Sequence, residues 1–156
     1  MLIIAIPGRE PLNIHHLVLD YNGTLARDGA LIEGVAAQLE LLAARIQVHV
    51  VTGDTFGKAR TALAQLPCET LILEPNDQAT AKLQHVARLG AARTVCIGNG
   101  RNDRLMLQAA GLGIAVIQAE GVAPETLQAA DIVMNNIHDA LELLLHPLRI
   151  AATLRD

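Results

Sequence analysis

The sequence predicts an α/β domain with a mainly parallel sheet between two layers of helices, and three observations predict it. Short β-branched apolar runs alternate with longer segments of helical periodicity along the chain. Those runs are apolar nearly throughout rather than at every second residue, as strands buried on both faces are. The 156 residues suit one domain, 1–156, with no repeat, low-complexity tract or linker to divide them.

Residues 2–6 and 15–19 read as strands around the turn-forming Pro7-Gly8-Arg9-Glu10-Pro11, an N-terminal β-hairpin. Asp28-Gly29 marks the turn of a short flap. Residues 33–44 have helical spacing, and the β-branched run 48–51 ends at Thr52-Gly53. Residues 54–66 read as a helix capped by Asp54 or Thr55 and stopped before Pro67. A strand over 70–73 precedes a helix over 77–89 that closes at Gly90. A strand follows at 94–97, a helix at 103–110 closed by Gly111, and a strand at 113–117. The pattern ends with a short helix at 124–129, a strand at 132–134 and a last helix at 138–145 before Pro147.

Composition narrows the function. Hydrophobic residues make up 51% and charged residues 18%, which excludes a disordered chain. The only aromatic residues among Phe, Tyr and Trp are Tyr21 and Phe56, so the core is aliphatic and platforms for stacking unpaired bases are absent. A net charge of −4 argues against nucleic acid and against an anionic membrane surface. Residues 1–6 lack the basic flank and length of a signal peptide, and no apolar run reaches spanning length. Cys68 and Cys96 have no CxxC spacing and read as reduced, packed thiols, so a cytoplasmic location is expected.

Ligands of parallel α/β sheets bind at the carboxyl ends of the strands. Those ends carry Asp20-Tyr21-Asn22-Gly23-Thr24, Thr52-Gly53-Asp54 and Gly98-Asn99-Gly100-Arg101-Asn102-Asp103, with Lys82 in the helix after the 70–73 strand. A carboxylate nucleophile, a hydroxyl, an ammonium and a second acid on one rim are the set that phosphoryl transfer requires. The histidines show no ligand spacing: His15 and His16 point to opposite faces of a strand, and His49, His85, His138 and His146 lie apart. All six read as structural or surface residues.

Over residues 17–145 the chain resembles the haloacid dehalogenase (HAD) superfamily, and within it the phosphorylation domain of P-type ATPases. The segment 16–25 is similar to the first motif, an apolar strand followed by Asp-x-x-Gly-Thr. Thr52-Gly53-Asp54 is similar to the second motif as P-type ATPases carry it, Lys82 falls at the third, and 98–103 with the strand after it at the fourth. The resemblance implies a HAD-like Rossmannoid three-layer sandwich and a Mg²⁺-dependent phosphohydrolase. Asp20 would be the nucleophile that becomes an aspartyl phosphate. Asp20, Asn22 through its backbone carbonyl, Asn99 and Asp103 would hold Mg²⁺. Thr52, Gly53, Gly23 and Lys82 would bind the phosphoryl oxygens.

Two departures from the family pattern matter. Asn22 stands where family phosphatases carry the Asp that protonates the leaving group, and an amide has no titratable proton to supply. Asn99 stands where a metal-binding Asp is usual, so the site loses a negative charge. Low turnover on good leaving groups is therefore expected. No insertion is long enough for a cap, which leaves an open site. Such a site takes a macromolecular phosphate or borrows a wall from a second copy in a homo-oligomer. The partner is thus a phosphorylated small molecule, a nucleotide or a phosphoprotein.

Competing readings are a catalytically weak binding or regulatory module, and a response-regulator receiver domain. The second lacks the Gly-Thr after the nucleophile. Dinucleotide binding fails because neither Pro7-Gly8 nor Gly98-Asn99-Gly100 completes GxGxxG.

Overall fold

In the computed structural model, which describes residues 1–155, the chain opens with an antiparallel hairpin of β1 (Leu2–Ile4) and β2 (Leu12–Ile14). After His15 it enters β3 (His16–Leu19), then a flap of β4 (Ala26–Arg27) and β5 (Ala30–Leu31) turned by Asp28 and Gly29, both at positive φ. The remaining order is α1 (Val35–Ala43), β6 (Gln47–Thr52), α2 (Ala59–Leu63), β7 (Glu69–Ile72), α3 (Gln78–Leu89), β8 (Thr94–Gly98), α4 (Arg104–Ala109), β9 (Leu112–Val116), α5 (Pro124–Ala129), β10 (Ile132–Met134), α6 (Ile137–Leu145) and α7 (Pro147–Leu154).

Six strands form one sheet in the order β10-β9-β8-β3-β6-β7, and every pairing is parallel. From β3 the chain builds outward through β6 to β7, then crosses back to lay β8 on the other side of β3. That reversal opens a crevice at the carboxyl end of β3. Alternation along the strands divides the core in two. Leu17, Leu19, Val50 and Ile97 pack with Leu39, Leu42, Leu141 and Leu144 of α1 and α6. Val18, Val51, Cys96 and Ala115 face Val86, Met106 and Leu107 of α3 and α4. Continuous apolar strands therefore give a three-layer α/β sandwich of the kind the resemblance implies, with an N-terminal hairpin and, among the described residues, no cap domain.

Three elements differ from the sequence reading. The first hairpin closes on itself through β2, and β3 follows as a separate strand. The helix expected over 54–66 shrinks to Ala59–Leu63, because Asp54 and Gly57 take left-handed φ of 47° and 65°. Asp54 still caps: its Oδ1 accepts from the amides of Lys58 and Ala59, both at 2.9 Å. Pro147 begins α7 instead of ending the helical region, since proline is well suited to a first helical turn. Among the described residues, no helix is long and apolar enough to cross a membrane.

Candidate active site

Asp20 continues β3 by one residue, its amide donating to Ile97 O at 3.0 Å. Lys82 reaches in from α3, and its Nζ donates at 2.6 Å to Asp20 Oδ1 and at 2.6 Å to Asp103 Oδ1. Lys82 and Asp103 are 0% exposed and Asp20 only 6%. Asp103 also holds the loop that carries it: Oδ2 accepts from Asn99 N at 3.0 Å and Gly100 N at 2.9 Å. Gly98 makes this possible, since a Cβ there would lie 2.5 Å from Asp103 Cγ. Three residues far apart in sequence thus form one buried ionic triad.

Two carboxylates share one ammonium, and the imbalance shows in the titration of Asp20 and Lys82. Burial, then the Asp103 charge, pushes Asp20 up to about 7 against the pull of Lys82. Burial works against the Lys82 charge, but Asp103 and Asp20 outweigh it and hold its pKa above the usual lysine range. With both carboxylates ionised the triad carries one net negative charge in a nearly dry setting, and a bound cation would favour that form.

The loop after Asp20 is fixed from several sides. Tyr21 O accepts from the amides of Thr24, Leu25 and Ala26. Gly23, at φ +78°, presses against the Asn99 side chain so closely that a Cβ would lie 2.3 Å from its Nδ2. Thr24 Oγ1 donates to Asn99 Oδ1 at 3.1 Å, and Asn99 Nδ2 donates to Gly121 O at 2.9 Å. Gln118, just past β9, donates to the carbonyls of Gly23 at 2.8 Å and Thr24 at 2.6 Å, and accepts from Ile137 N. Among the described residues, Asn22 Oδ1 is buried without a hydrogen-bond partner.

On the other flank, Thr52 ends β6 with a buried side chain whose Oγ1 accepts from Asp54 N at 3.0 Å. Gly53 lies under the Gln78 amide, where a Cβ would sit 2.2 Å from Nε2, and Gln78 Oε1 accepts from Asn102 Nδ2 at 2.9 Å. The flap tip spans the mouth. Gly29 packs against Phe56, and the Asp28 amide donates to Glu120 Oε1 at 2.8 Å.

The structure therefore brings Asp20, Lys82 and Asp103 into direct contact, with Gly23 and Asn99 joined beside them and Thr52-Gly53 at the adjacent strand end. Gln78 and Gln118 are not among the residues the sequence singles out, and Asn102, within the 98–103 strand-end run, is given no role there. The strand-end logic extended to the 113–117 run reaches Gln118; Gln78 carries no signal outside the fold.

The donors suit a hard divalent cation such as Mg²⁺. They are all oxygen, they carry net negative charge once Asp20 is ionised, and among the described residues Asn22 Oδ1 is a further buried acceptor with no hydrogen-bond partner. Among the described residues, no three His, Cys, Asp or Glu side chains form a ready cage. Mg²⁺ does not require one, because it commonly keeps waters and one or two carboxylates. Asp103 has both oxygens engaged and Asn99 has its amide engaged, so Asp20 and the Asn22 position are the donors left most available.

The family model for haloacid dehalogenase-like hydrolases matches residues 77–140. Uncharacterized protein MJ0073 of Methanocaldococcus jannaschii is 50% identical over 64 residues, 41% of this chain and 69% of that protein. Among solved structures, the cobalt-bound deoxy-D-mannose-octulosonate 8-phosphate phosphatase of Haemophilus influenzae is similar with a TM-score of 0.70 and 20% identity, over 91% of this chain and 93% of that one. The 3-deoxy-D-manno-octulosonate 8-phosphate phosphatase of Moraxella catarrhalis, in complex with magnesium, phosphate and the sugar acid, gives 0.68 and 21% over 90% and 91%. A phosphoserine phosphatase in its apo form gives 0.67 and 16% over 85% and 98%. At these identities the structural likeness is one of fold. The chain belongs to the haloacid dehalogenase-like hydrolase superfamily.

Proposed function

We propose that the protein is a Mg²⁺-dependent phosphohydrolase of low turnover that works through an aspartyl phosphate on Asp20. The observation that carries this reading is the buried Asp20–Lys82–Asp103 triad at the switch point of the sheet. An Asp20 carboxylate oxygen attacks phosphorus, the bond to the leaving group breaks, and water later cleaves the acyl phosphate to regenerate Asp20. Lys82 restrains Asp20 and balances charge on the transferred oxygens, with Thr52, Gly53 and Gly23 supplying further contacts. Mg²⁺, held by Asp20 and the Asn22 backbone carbonyl with Asp103 and Asn99 behind them, would neutralise the phosphoryl charge.

Asn22 sets the substrate class. General acid–base help is typically worth about 10²–10⁴-fold, and without it the leaving group departs unaided. Acyl phosphates, nucleoside triphosphates and aryl phosphates meet that condition. Sugar monophosphates, such as those named for the octulosonate phosphatases, do not. The Thr52-Gly53-Asp54 segment supports the finer likeness to the phosphorylation domain of P-type ATPases. A site with no cap domain among the described residues would fit a bulky phosphorylated partner or completion by a second copy.

One observation favours a binding or regulatory module instead. The Asn99 amide is committed to Thr24 and Gly121, so it ties two loops together as a structural residue. A phosphate-release screen with Mg²⁺ over acyl phosphates, nucleotides and alkyl phosphates separates the readings. Turnover in that order of leaving groups supports the hydrolase; phosphate binding without turnover supports the module.

A further inference from the structure

The histidines that the sequence scatters meet in the fold, at the amino-terminal end of the sheet and away from the triad. His49 on β6 is level with Val18 of β3 and Glu69 of β7, so His16, two residues before Val18, lies diagonally across from it on the same face. His16 Nδ1 and His49 Nε2 are hydrogen-bonded to each other at 3.3 Å. His49 Nδ1 lies 3.4 Å from Glu69 Oε2. His85 descends from α3 with its ring 5.3 Å from that of His49, and among the described residues its Nε2 and His49 Nδ1 are buried without a hydrogen-bond partner.

Neither the phosphoryl site nor the aliphatic core uses this cluster, and burying imidazole nitrogens without partners is costly. We propose that His16 Nδ1, His49 Nε2 and His85 Nε2 form a second binding site, for a transition-metal dication of the Zn²⁺ class.

Geometry and chemistry support it. Two imidazole nitrogens on one Zn²⁺, at about 2.0–2.1 Å each and a tetrahedral angle, lie roughly 3.3–3.4 Å apart. The His16–His49 spacing is already of that size. Glu69 Oε2, 3.4 Å from the far nitrogen of His49, is close enough to orient that ring once a metal is bound, although among the described residues Nδ1 makes no hydrogen bond. His85, its ring 5.3 Å from that of His49, would have to turn its side chain to complete the set, since among the described residues no three such donors meet at cage distance. Burial, the largest cause in each case, lowers the pKa of all three histidines and favours the neutral form that binds metal. A cleft of about 760 Å³ whose walls include His16 and Glu69, though not His49 or His85, opens beside the cluster.

The test uses untagged full-length protein stripped with chelator, then given one equivalent of Co²⁺ and desalted. Wild type and Asp20→Asn should both retain one Co²⁺ per chain, with the strong visible absorption of a tetrahedral site that Zn²⁺ bleaches. His49→Gln and His85→Gln should each lower the affinity at least about tenfold, the size expected for loss of one ligand or its support. Circular dichroism confirms that each variant is folded, and His16→Asn replaces either one that is not. The proposal is overturned if wild type retains no Co²⁺, if a folded histidine variant retains it equally well, or if Asp20→Asn abolishes it.

Discussion

Lys82 Nζ lies 2.6 Å from Asp103 Oδ1 with both side chains 0% exposed, and the other Asp103 oxygen fastens the Asn99 and Gly100 amides. The cation that steadies Asp20 is thus anchored to the loop after β8. The rim behaves as one unit, and a change at any member should be felt at the others.

Lys82→Met keeps the stem of the side chain and removes the charge. It leaves two buried carboxylates facing each other, and breaking a buried pair in this way costs about 3–5 kcal/mol. A fall of that size in urea-unfolding free energy is expected, together with loss of phosphate release. A variant as stable as wild type would show that the ammonium is not structural.

Gly98→Ala places a methyl 2.5 Å from Asp103 Cγ, and Asp103 cannot yield because both its oxygens are held. Overpacking of this kind costs about 1–3 kcal/mol. Urea denaturation and a parallel phosphate-release assay should both register the change.

Asn22→Asp supplies a titratable carboxyl two residues from Asp20. Turnover should rise most for alkyl phosphates and least for nitrophenyl or acyl phosphates, which need little protonation of the leaving group. Asn22-Gly23 and Asn99-Gly100 are sequences prone to deamidation. Intact-mass measurement should therefore accompany every wild-type rate. Equal rates for both proteins on an alkyl phosphate would remove Asn22 as the limiting feature.

The histidine cluster makes stability depend on pH in chelator-treated protein. Burial holds the pKa values of His16, His49 and His85 below the free value of 6.5, so folding favours their neutral form. Glu69 opposes the shift in all three, while Arg93 and His15 reinforce it at His16 and Arg88 at His85. Their contribution is complete above about pH 6.5 and is lost as pH falls through the lowered values. The urea midpoint should drop between about pH 7.5 and about pH 5, and drop less in His49→Gln. An equal drop in the variant would absolve the cluster.

Much of this was legible in the sequence because β-branched runs and strand-end polar residues report directly on a parallel sheet. Leu17-Val18-Leu19 followed by Asp20 reads as a buried strand delivering a carboxylate, and the fold delivers it. Helix limits were less legible where backbone conformation, not hydrophobic pattern, decides. Asp54 at positive φ delays α2, and Pro147 starts α7. The histidine cluster was invisible because strand register, which sets His16 diagonal to His49, emerges only once β3 and β6 pair. The amide contacts of Gln78 and Asn102 likewise depend on how α3 seats against the 98–103 loop.

Trapping shows whether Asp20 takes the phosphoryl group. Protein with Mg²⁺ and acetyl phosphate would be quenched in acid, reduced with borohydride and mapped by peptide mass spectrometry. The account predicts reduction of the acyl phosphate at Asp20 alone, and none in Asp20→Asn. Phosphate release that proceeds with no adduct at Asp20, or undiminished in Asp20→Asn, would contradict it.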